Sequence, residues 1–312
     1  MSASARMALK DRIALGVSLP HRSPDPIAPS AVDAAARLAE ALGFADLWVT
    51  ENTLDHVFSF DPVALLSRAA AVTRHIRLGV SVVVLPVHHP LHIAHQYATL
   101  DYLSDGRAIL GLGLGRDYHY AAFQVPTEAR VRRFRESLAL IRELWRDGEA
   151  HYRGRIYTVE GFGNGLRPVQ QPHPPIWLGV GHPDAITRAA ALADGWMGSG
   201  GSSIAEFGRS VPLLKSALEK AGRDPDAFPI SKRVFLAIDE RPDVARAELA
   251  RWFTTVYRNP PGIDASGIHG TPEIMRERLE ELAAMGANHL LLNPVSRYAE
   301  QIAACAEVAG LG

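Results

Sequence analysis

The sequence has a single cysteine, Cys305, among its 312 residues. One thiol can form neither an internal disulfide bond nor a Cys-x-x-Cys site, so a disulfide-stabilised scaffold and a dithiol redox centre are excluded. Cys305 lies in an alanine-rich stretch of helical period near the C-terminus. A free cysteine in that setting packs as a small apolar side chain, and we predict that Cys305 is a core residue.

An excess of charge of either sign is also missing. The 33 lysines and arginines nearly balance the 34 aspartates and glutamates, which leaves a formal net charge of −1 at pH 7. Without a global field, the chain is not expected to bind nucleic acid or an anionic membrane. No run approaches the ~18 apolar residues of a membrane helix, and residues 1–12 contain no apolar signal-peptide core. We therefore expect a cytoplasmic protein.

Repeats and low-complexity tracts are absent, and short β-branched runs instead alternate with longer stretches of helical period. This alternation is typical of βαβ units around a parallel sheet. Strands are predicted at residues 12–19, 46–50, 76–85, 107–114, 175–180, 194–198, 230–239 and 288–293. Their number matches a closed (β/α)₈ barrel, the TIM barrel of the α/β class. We predict one such domain over residues 1–312.

The helices between these strands have clear boundaries. Residues 31–42 form an amphipathic segment that ends at Gly43. Residues 130–147 carry Phe134 and its apolar successors at helical spacing, and Gly148 closes them. Thr271 followed by proline begins the last long helix.

Two segments, 148–174 and 258–270, are long for barrel connections. Long segments in compact domains are usually lids or binding loops, so both are expected at the C-terminal face, near the substrate mouth. The aromatic residues Trp252, Phe253 and Tyr257 precede the second segment and suggest an apolar or planar ligand, although this spacing is also typical of packing.

The end of the fifth predicted strand favours an anion site. Gly179, Val180, Gly181 and His182 form a glycine-rich turn that feeds a helix. Open backbone N–H groups and the helix dipole suit a phosphate at such a turn, and we predict a cofactor phosphate here. The alternative is a tight turn without a ligand. Asp184 in the first helical turn would repel a phosphate unless its carboxylate points away.

The fourth strand ends in Gly111, Gly113, Gly115 and Arg116. This row differs in spacing from the dinucleotide fingerprint and lacks the acidic residue that follows it. It predicts a close approach of the backbone to a flat ligand, with Arg116 anchoring an anionic group. An exposed arginine without a ligand is the alternative.

Polar side chains follow the second strand, and these predict the catalytic residues. Glu51 could accept a hydrogen bond from a ligand, and His56 titrates near neutrality, so either could move a proton. A solvated loop is the alternative for both. His88, His92 and His95 share one helical spacing and invite a metal site. Because Pro90 should begin the helix and leave His88 outside it, we expect no bound metal.

Three segments together resemble the bacterial luciferase-like flavin and deazaflavin oxidoreductases. They are DPVALLSRAAAVTRHIRLGVSVVVLPVHHPLHIAHQYATLDYLSDGRAILGLGLG, RPVQQPHPPIWLGVGHPDAITRAAALADGW and GTPEIMRERLEELAAMGANHLLL. The resemblance covers nearly the whole chain. It implies a barrel enzyme that transfers a hydride between coenzyme F420 and a small organic substrate with a C=C, carbonyl or alcohol group. It also implies a homodimer.

The resemblance also implies a location for the cofactor. The ring would lie against a non-prolyl cis peptide in strand three, which corresponds to Ser81–Val82; from the residues alone, Ser81 would be a core hydroxyl. The resemblance implies that the remaining cofactor contacts come from Gly113 and Gly115 beside the ring or ribityl chain, from Val180, Gly181 and His182 at the phosphate, and from Gly198 and Ser199 at the border of the phosphate pocket.

Two alternatives stay open. The first is an FMN-dependent two-component monooxygenase that receives reduced flavin from a separate flavin reductase, and the second is a flavin-binding protein without catalysis. The sequence departs from many deazaflavin-dependent relatives at the end of strand two, where an acidic residue and a histidine are usual. Here the pair is Glu51-Asn52. An amide cannot donate the proton, so the role is vacant or moves to His56, Glu51 or water, while Asn52 hydrogen-bonds the ring.

Overall fold

Short strands alternate with helices throughout the computed structural model, which describes residues 8–53, 55–163 and 165–312. The strands are β1 (Ala14–Ser18), β2 (Arg22–Ser23), β3 (Asp46–Val49), β4 (Phe58–Ser59), β5 (Arg77–Val80), β6 (Val83–Val84), β7 (Ala108–Gly113), β8 (Glu149–Arg153), β9 (Thr158–Gly163), β10 (Ile176–Leu178), β11 (Gly195–Gly198), β12 (Ile230–Ile238), β13 (Gly267–Gly270) and β14 (His289–Pro294). The helices are α1 (Pro29–Ala41), α2 (Pro62–Val72), α3 (Pro90–Leu103), α4 (Asp117–Ala122), α5 (Arg130–Asp147), α6 (Pro183–Leu192), α7 (Ile204–Lys220), α8 (Pro242–Thr255), α9 (Gly262–Ser266), α10 (Pro272–Ala284) and α11 (Tyr298–Ala309).

Eight parallel strands close into a barrel. Their order around it is β1, β3, β5, β7, β10, β11, β12 and β14. Ile176 pairs with Leu110 between β10 and β7, and Ala14 pairs with His289 between β1 and β14, so the sheet has no free edge on this path. Each barrel strand overlaps one predicted strand, and the predicted (β/α)₈ barrel is confirmed.

The barrel interior is packed by large side chains in its middle and by polar groups at its N-terminal end. Trp48, Trp177 and Met197 belong to one fully buried central cluster. Below them, the buried Asp46 carboxylate accepts hydrogen bonds from His289 Nε2 at 2.9 Å and from the Trp48 indole. Buried polar groups require such partners, so this network stabilises the barrel at the end opposite to the expected active site.

The predicted helix boundaries agree closely with the structure. The segment 31–42 corresponds to α1, and 130–147 is α5, which ends at Gly148 with φ +76°. The Thr271 side chain accepts a hydrogen bond from Ile274 N and caps α10, as the threonine–proline signal predicts. Cys305 is buried in α11, which confirms its assignment to the core. Within the described ranges, no helix combines the length and the apolar character needed to cross a membrane.

The prediction that residues 148–174 form a binding loop near the mouth is wrong for most of the segment. Residues 149–163 are an antiparallel hairpin of β8 and β9. The Glu136 carboxylate of α5 accepts the backbone N–H groups of residues 155–157 at the hairpin turn. Because the segment joins the end of α5 to the start of β10, both its ends lie at the N-terminal side of the barrel.

The segment 258–270 does lie at the C-terminal face. It contains α9 and β13, and β13 extends the sheet beside the last part of β12, with Phe235 opposite Gly267. Trp252 and Phe253 of α8 are buried around Phe235 in a second apolar cluster. These aromatic residues therefore pack on one another, and only Tyr257 of the three is partly exposed. On the same face, β2 and β4 pair as a two-stranded sheet.

Candidate active site at the mouth of the barrel

Strand β5 ends in an irregular stretch before β6, and the peptide bond Ser81–Val82 within it is cis. The position of this bond agrees with the expectation from the family resemblance. Val82 packs against two strand ends: a Cβ added to Gly113 would lie 2.6 Å from Val82 Cγ2, and one added to Gly179 would lie 2.8 Å from Cγ1. Ser81 and Val82 are both partly exposed. Glycine at these two positions thus makes room for Val82.

Contacts with β5 and β6 explain the rest of the glycine row in and just after β7. A Cβ at Gly111 would lie 1.9 Å from the Val80 carbonyl oxygen, and one at Gly115 would lie 2.3 Å from Val84 Cγ1. Gly115 also has φ +70°, which favours glycine by itself. The spacing of these glycines is therefore explained by their packing against residues 80–84 of the same chain. Contact of Gly113 and Gly115 with a flat ligand stays a prediction.

Glu51, at the end of β3, holds this irregular stretch in place. Its Oε2 accepts the Val84 backbone N–H at 2.7 Å, and its Oε1 lies 2.6 Å from His88 Nε2. Burial by itself would raise the pKa of Glu51, but the bonds from His88 and Val84 lower it below the usual value. The carboxylate is therefore ionised at neutral pH and unsuited to donate a proton.

A chain of hydrogen bonds fixes Asn52. Its Nδ2 donates to the Thr50 hydroxyl, and the hydroxyl lies 2.7 Å from His21 Nε2, while His21 Nδ1 lies 2.7 Å from the Leu19 carbonyl. Because a carbonyl can only accept, Nδ1 carries the proton and Nε2 accepts from Thr50. Burial lowers the pKa of His21 to about 3, so its ring is neutral. Sequence reasoning missed His21, which is the second residue after the first predicted strand.

His56 is exposed at the rim of the mouth. Its backbone N–H donates to Asp55 Oδ1 at 2.7 Å, and the Asp55 carboxylate pairs with Arg22. Arg22 also donates to the Val256 carbonyl at 2.9 Å, which ties this loop to the residues after α8. The structure thus places His56 and Asn52 on one loop, and the Asn52 side chain is held by hydrogen bonds to Thr50.

The turn between β10 and α6 faces open space at Gly181. A Cβ at Gly181 would meet no atom within 4 Å, and the exposed His182 caps α6 by accepting the Asp184 N–H at 3.3 Å. Asp184 is also exposed, and its carboxylate lies 3.8 Å from His182 Nδ1. The Val180 carbonyl accepts the Trp196 indole N–H at 2.8 Å, so the turn is anchored to β11.

Lys232 supports the loop after β11, and sequence reasoning missed it. Its buried Nζ donates to the carbonyl oxygens of Ser199 and Ser202, the latter at 2.8 Å. Burial lowers the pKa of Lys232 to about 7. The loop that contains Ser199 is therefore held from below by the hydrogen bonds of the Lys232 amino group. The sequence signal for Lys232 was its position next to Arg233, since the two form a charged pair inside a mostly apolar predicted strand.

The remaining predicted residues lie near the mouth without forming a metal site. Arg116 is exposed at the start of α4, where its backbone N–H donates to His119 Nδ1 at 3.0 Å. His88 and His92 border a cavity of about 210 Å³ beside Glu51. Across the described part of the chain, no three His, Cys, Asp or Glu side chains are grouped so that they could hold a metal ion.

Comparisons with known proteins extend this description. Residues 13–261 match the family model of the luciferase-like monooxygenases. The chain is 30% identical over 239 residues to an F420-dependent glucose-6-phosphate dehydrogenase of Kineococcus radiotolerans, covering 74% of this chain and 70% of that protein. It is 31% identical over 211 residues to a 5,10-methylenetetrahydromethanopterin reductase of Archaeoglobus fulgidus, covering 67% of this chain and 61% of that protein. The crystal structure of the monooxygenase RslO1 from Streptomyces bottropensis shares the fold, with a TM-score of 0.83, 22% identity and coverage of 95% and 98%.

Proposed function

Because the chain belongs to the luciferase-like monooxygenase family, we propose that it transfers a hydride between coenzyme F420 and a small organic substrate with a C=C, carbonyl or alcohol group. Its homologues include F420-dependent oxidoreductases and luciferase-like monooxygenases, which supports an enzyme. The observation that favours the deazaflavin is the 30% identity, over 74% of this chain, to a relative whose name specifies F420.

The residues at the mouth fit a flat cofactor that carries a phosphate. Gly181 faces open space just before the start of α6, and the Lys232-supported loop lies at the next strand end. When bound, the deazaflavin supplies or accepts the hydride. We assign its ring to the surface beside the cis peptide and its phosphate to the two loops. The proposed contacts are Ser81, Val82, Gly113, Gly115, Arg116, Gly179, Val180, Gly181, His182, Gly198 and Ser199.

The chain must also move one proton, and Glu51, Asn52 and His56 divide the roles around this step. Glu51 is ionised and engaged by Val84 and His88, so we assign it to positioning. Asn52 is held by Thr50 and is proposed to hydrogen-bond the ring or the substrate. His56, an imidazole exposed at the rim, is the proposed proton donor.

Turnover under anaerobic conditions tests this proposal. Reduced F420 should be consumed by a member of a panel of activated alkenes, aldehydes and ketones, without oxygen. His56→Gln should lower kcat by about a hundredfold, the usual contribution of a general acid. His75→Gln, which changes an exposed histidine before β5, should leave kcat unchanged. Full activity of the His56 variant would refute the assignment of the proton donor.

The second function to consider is an FMN-dependent monooxygenase with a separate flavin reductase. The fold shared with a monooxygenase structure and the name of the family model favour it. The open phosphate site suits FMN as well as F420. Oxygen consumption that requires reduced FMN, with no use of reduced F420, would establish this alternative and overturn the hydride-transfer proposal.

A further inference from the structure

Arg233 is a cation inside the barrel. Along β12, Ile230, Val234 and Leu236 belong to the core shared with the surrounding helices. Alternate residues of a strand face opposite sides, so Arg233 faces inward. The inward-facing Ser231 contacts His289 Nδ1 at 2.7 Å in the barrel interior, which agrees with this assignment. The Arg233 side chain is partly exposed toward the C-terminal mouth.

The partners of Arg233 carry no charge. Its Nε and Nη2 donate to Asn293 Oδ1 at 3.0 and 2.6 Å, and its Cζ lies 4.7 Å from the centre of the Phe235 ring. Among the residues that the structure describes, no carboxylate forms an ion pair with Arg233, and its Nη1 makes no hydrogen bond. The Asp55 carboxylate is paired with Arg22. Although burial lowers the pKa of Arg233 to about 10, the guanidinium stays charged at neutral pH.

An unpaired cation in this position is unfavourable, because a charge that is partly withdrawn from water is stabilised by a counter-charge and by full hydrogen bonding. We propose that Arg233 binds an oxyanion of the substrate, so that the enzyme favours organic acids, either carboxylates or phosphate esters. The guanidinium fork matches the geometry of such groups. This inference rests on the proposed function, since it names the substrate class of the same site.

The surroundings of Arg233 favour a planar acid. Tyr257 lies 5.0 Å from the Phe235 ring, centre to centre, so aromatic groups lie beside the guanidinium. A Cβ at Gly200 would lie 3.2 Å from Arg233 Cδ and 2.9 Å from Phe235 Cε2, so the loop after β11 covers one side of this position. A substrate held here would be bounded by aromatic rings and by backbone.

The cofactor phosphate is a second source of an oxyanion, and the fold favours the substrate over it. The phosphate is assigned to the turn after β10 and the loop after β11. Arg233 instead points toward Asn293 of β14, on the next part of the barrel wall. The Arg233 Cδ thus borders Gly200 of the loop after β11, while its guanidinium is directed to β14, on the side of the mouth that α8 and α9 cover.

Binding of benzoate and of benzyl alcohol to the full chain tests the proposal. The two probes share a planar ring and differ in the carboxylate, and both are titrated by calorimetry with and without saturating F420. Benzoate should bind at least about tenfold more tightly than benzyl alcohol, as expected for a charge-assisted bidentate contact. Arg233→Gln should abolish this preference and leave the F420 dissociation constant within twofold of the unaltered protein. Arg246→Gln, at an exposed arginine of α8, should change neither.

The outcomes separate this inference from the proposed function. Failure of F420 to bind removes the hydride-transfer proposal, while the titrations without cofactor still report on Arg233. A preference for benzoate over benzyl alcohol that persists in Arg233→Gln overturns the inference. A tenfold loss of F420 affinity in this variant, with that preference intact, overturns it as well. Arg233→Lys keeps the charge and should retain part of the preference. If both variants lose it together with a large fall in Tm, Arg233 is a structural residue and the inference fails.

Discussion

Glu51 offers the sharpest test of how the irregular stretch after β5 is held. Glu51→Ala removes both acceptor oxygens, so the buried Val84 N–H and His88 lose their partners. Each hydrogen bond to a charged acceptor contributes about 1.5–3 kcal/mol, and the free energy of unfolding should fall by about 3 kcal/mol. Glu51→Gln keeps an acceptor oxygen for Val84 and places an NH2 donor against His88, whose neutral ring can accept from it, so a fall of about 1 kcal/mol is expected.

Urea unfolding of both variants at neutral pH, together with F420 titration, measures these effects. Glu51→Ala should weaken cofactor binding more than Glu51→Gln, because Val82 and Val84 pack against the glycines of the mouth. Glu160→Ala, which removes an exposed ion pair of the hairpin, is the control and should cost no more than about 1 kcal/mol. Since the folded-state pKa of Glu51 is lowered, its contribution is present at neutral pH and disappears as the pH falls through that pKa. Equal effects of the two variants, or none, would refute the role assigned to Glu51.

Three further predictions concern other parts of the barrel. Burial opposes ionisation of Asp46, yet its pKa is lowered from 3.8 to about 2, chiefly by His289. This carboxylate should therefore contribute about 2 kcal/mol to the free energy of unfolding above pH 4, and the contribution should disappear as the pH falls through 2. Acid titration of unfolding should show this dependence in the unaltered chain and not in Asp46→Asn. Lys232→Met should weaken F420 binding by about tenfold, since the carbonyls of the loop after β11 lose their charged donor; Lys215→Met, at a surface ion pair, should not. Gly113→Ala should cost about 1–3 kcal/mol of stability by overpacking, measured by urea unfolding, whereas Gly165→Ala, which meets no atom within 4 Å, should cost less.

The barrel and its helices could be predicted because their signals are local. Apolar runs bounded by glycine and proline mark the eight strands, and the spacing after Phe134 marks α5 through to Gly148. The hairpin at 149–163 was missed because its pairing depends on a distant contact. The Glu136 carboxylate of α5 accepts the backbone N–H groups of the hairpin turn, and the sequence of the hairpin does not indicate this partner.

The sequence was sufficient to predict which segments form the candidate site, but not which residues contact one another there. That the glycine row in and just after β7 is a ligand surface stays a prediction; the structure adds that these glycines accommodate Val80, Val82 and Val84, which lie about 30 residues earlier. The positioning role of Glu51 likewise depends on the backbone of β6. Lys232 and Arg233 did carry a sequence signal, because two adjacent cations in a strand buried on both faces need partners.

Equilibrium titration of the purified cofactor-free protein with F420, and separately with oxidised and reduced FMN, tests the central claim most directly. The protein fluorescence should report micromolar binding of F420 and weaker binding of both forms of FMN. Tighter binding of reduced FMN would contradict the deazaflavin assignment and favour an oxygen-dependent monooxygenase. Binding of neither would leave the barrel in place and remove the proposed function.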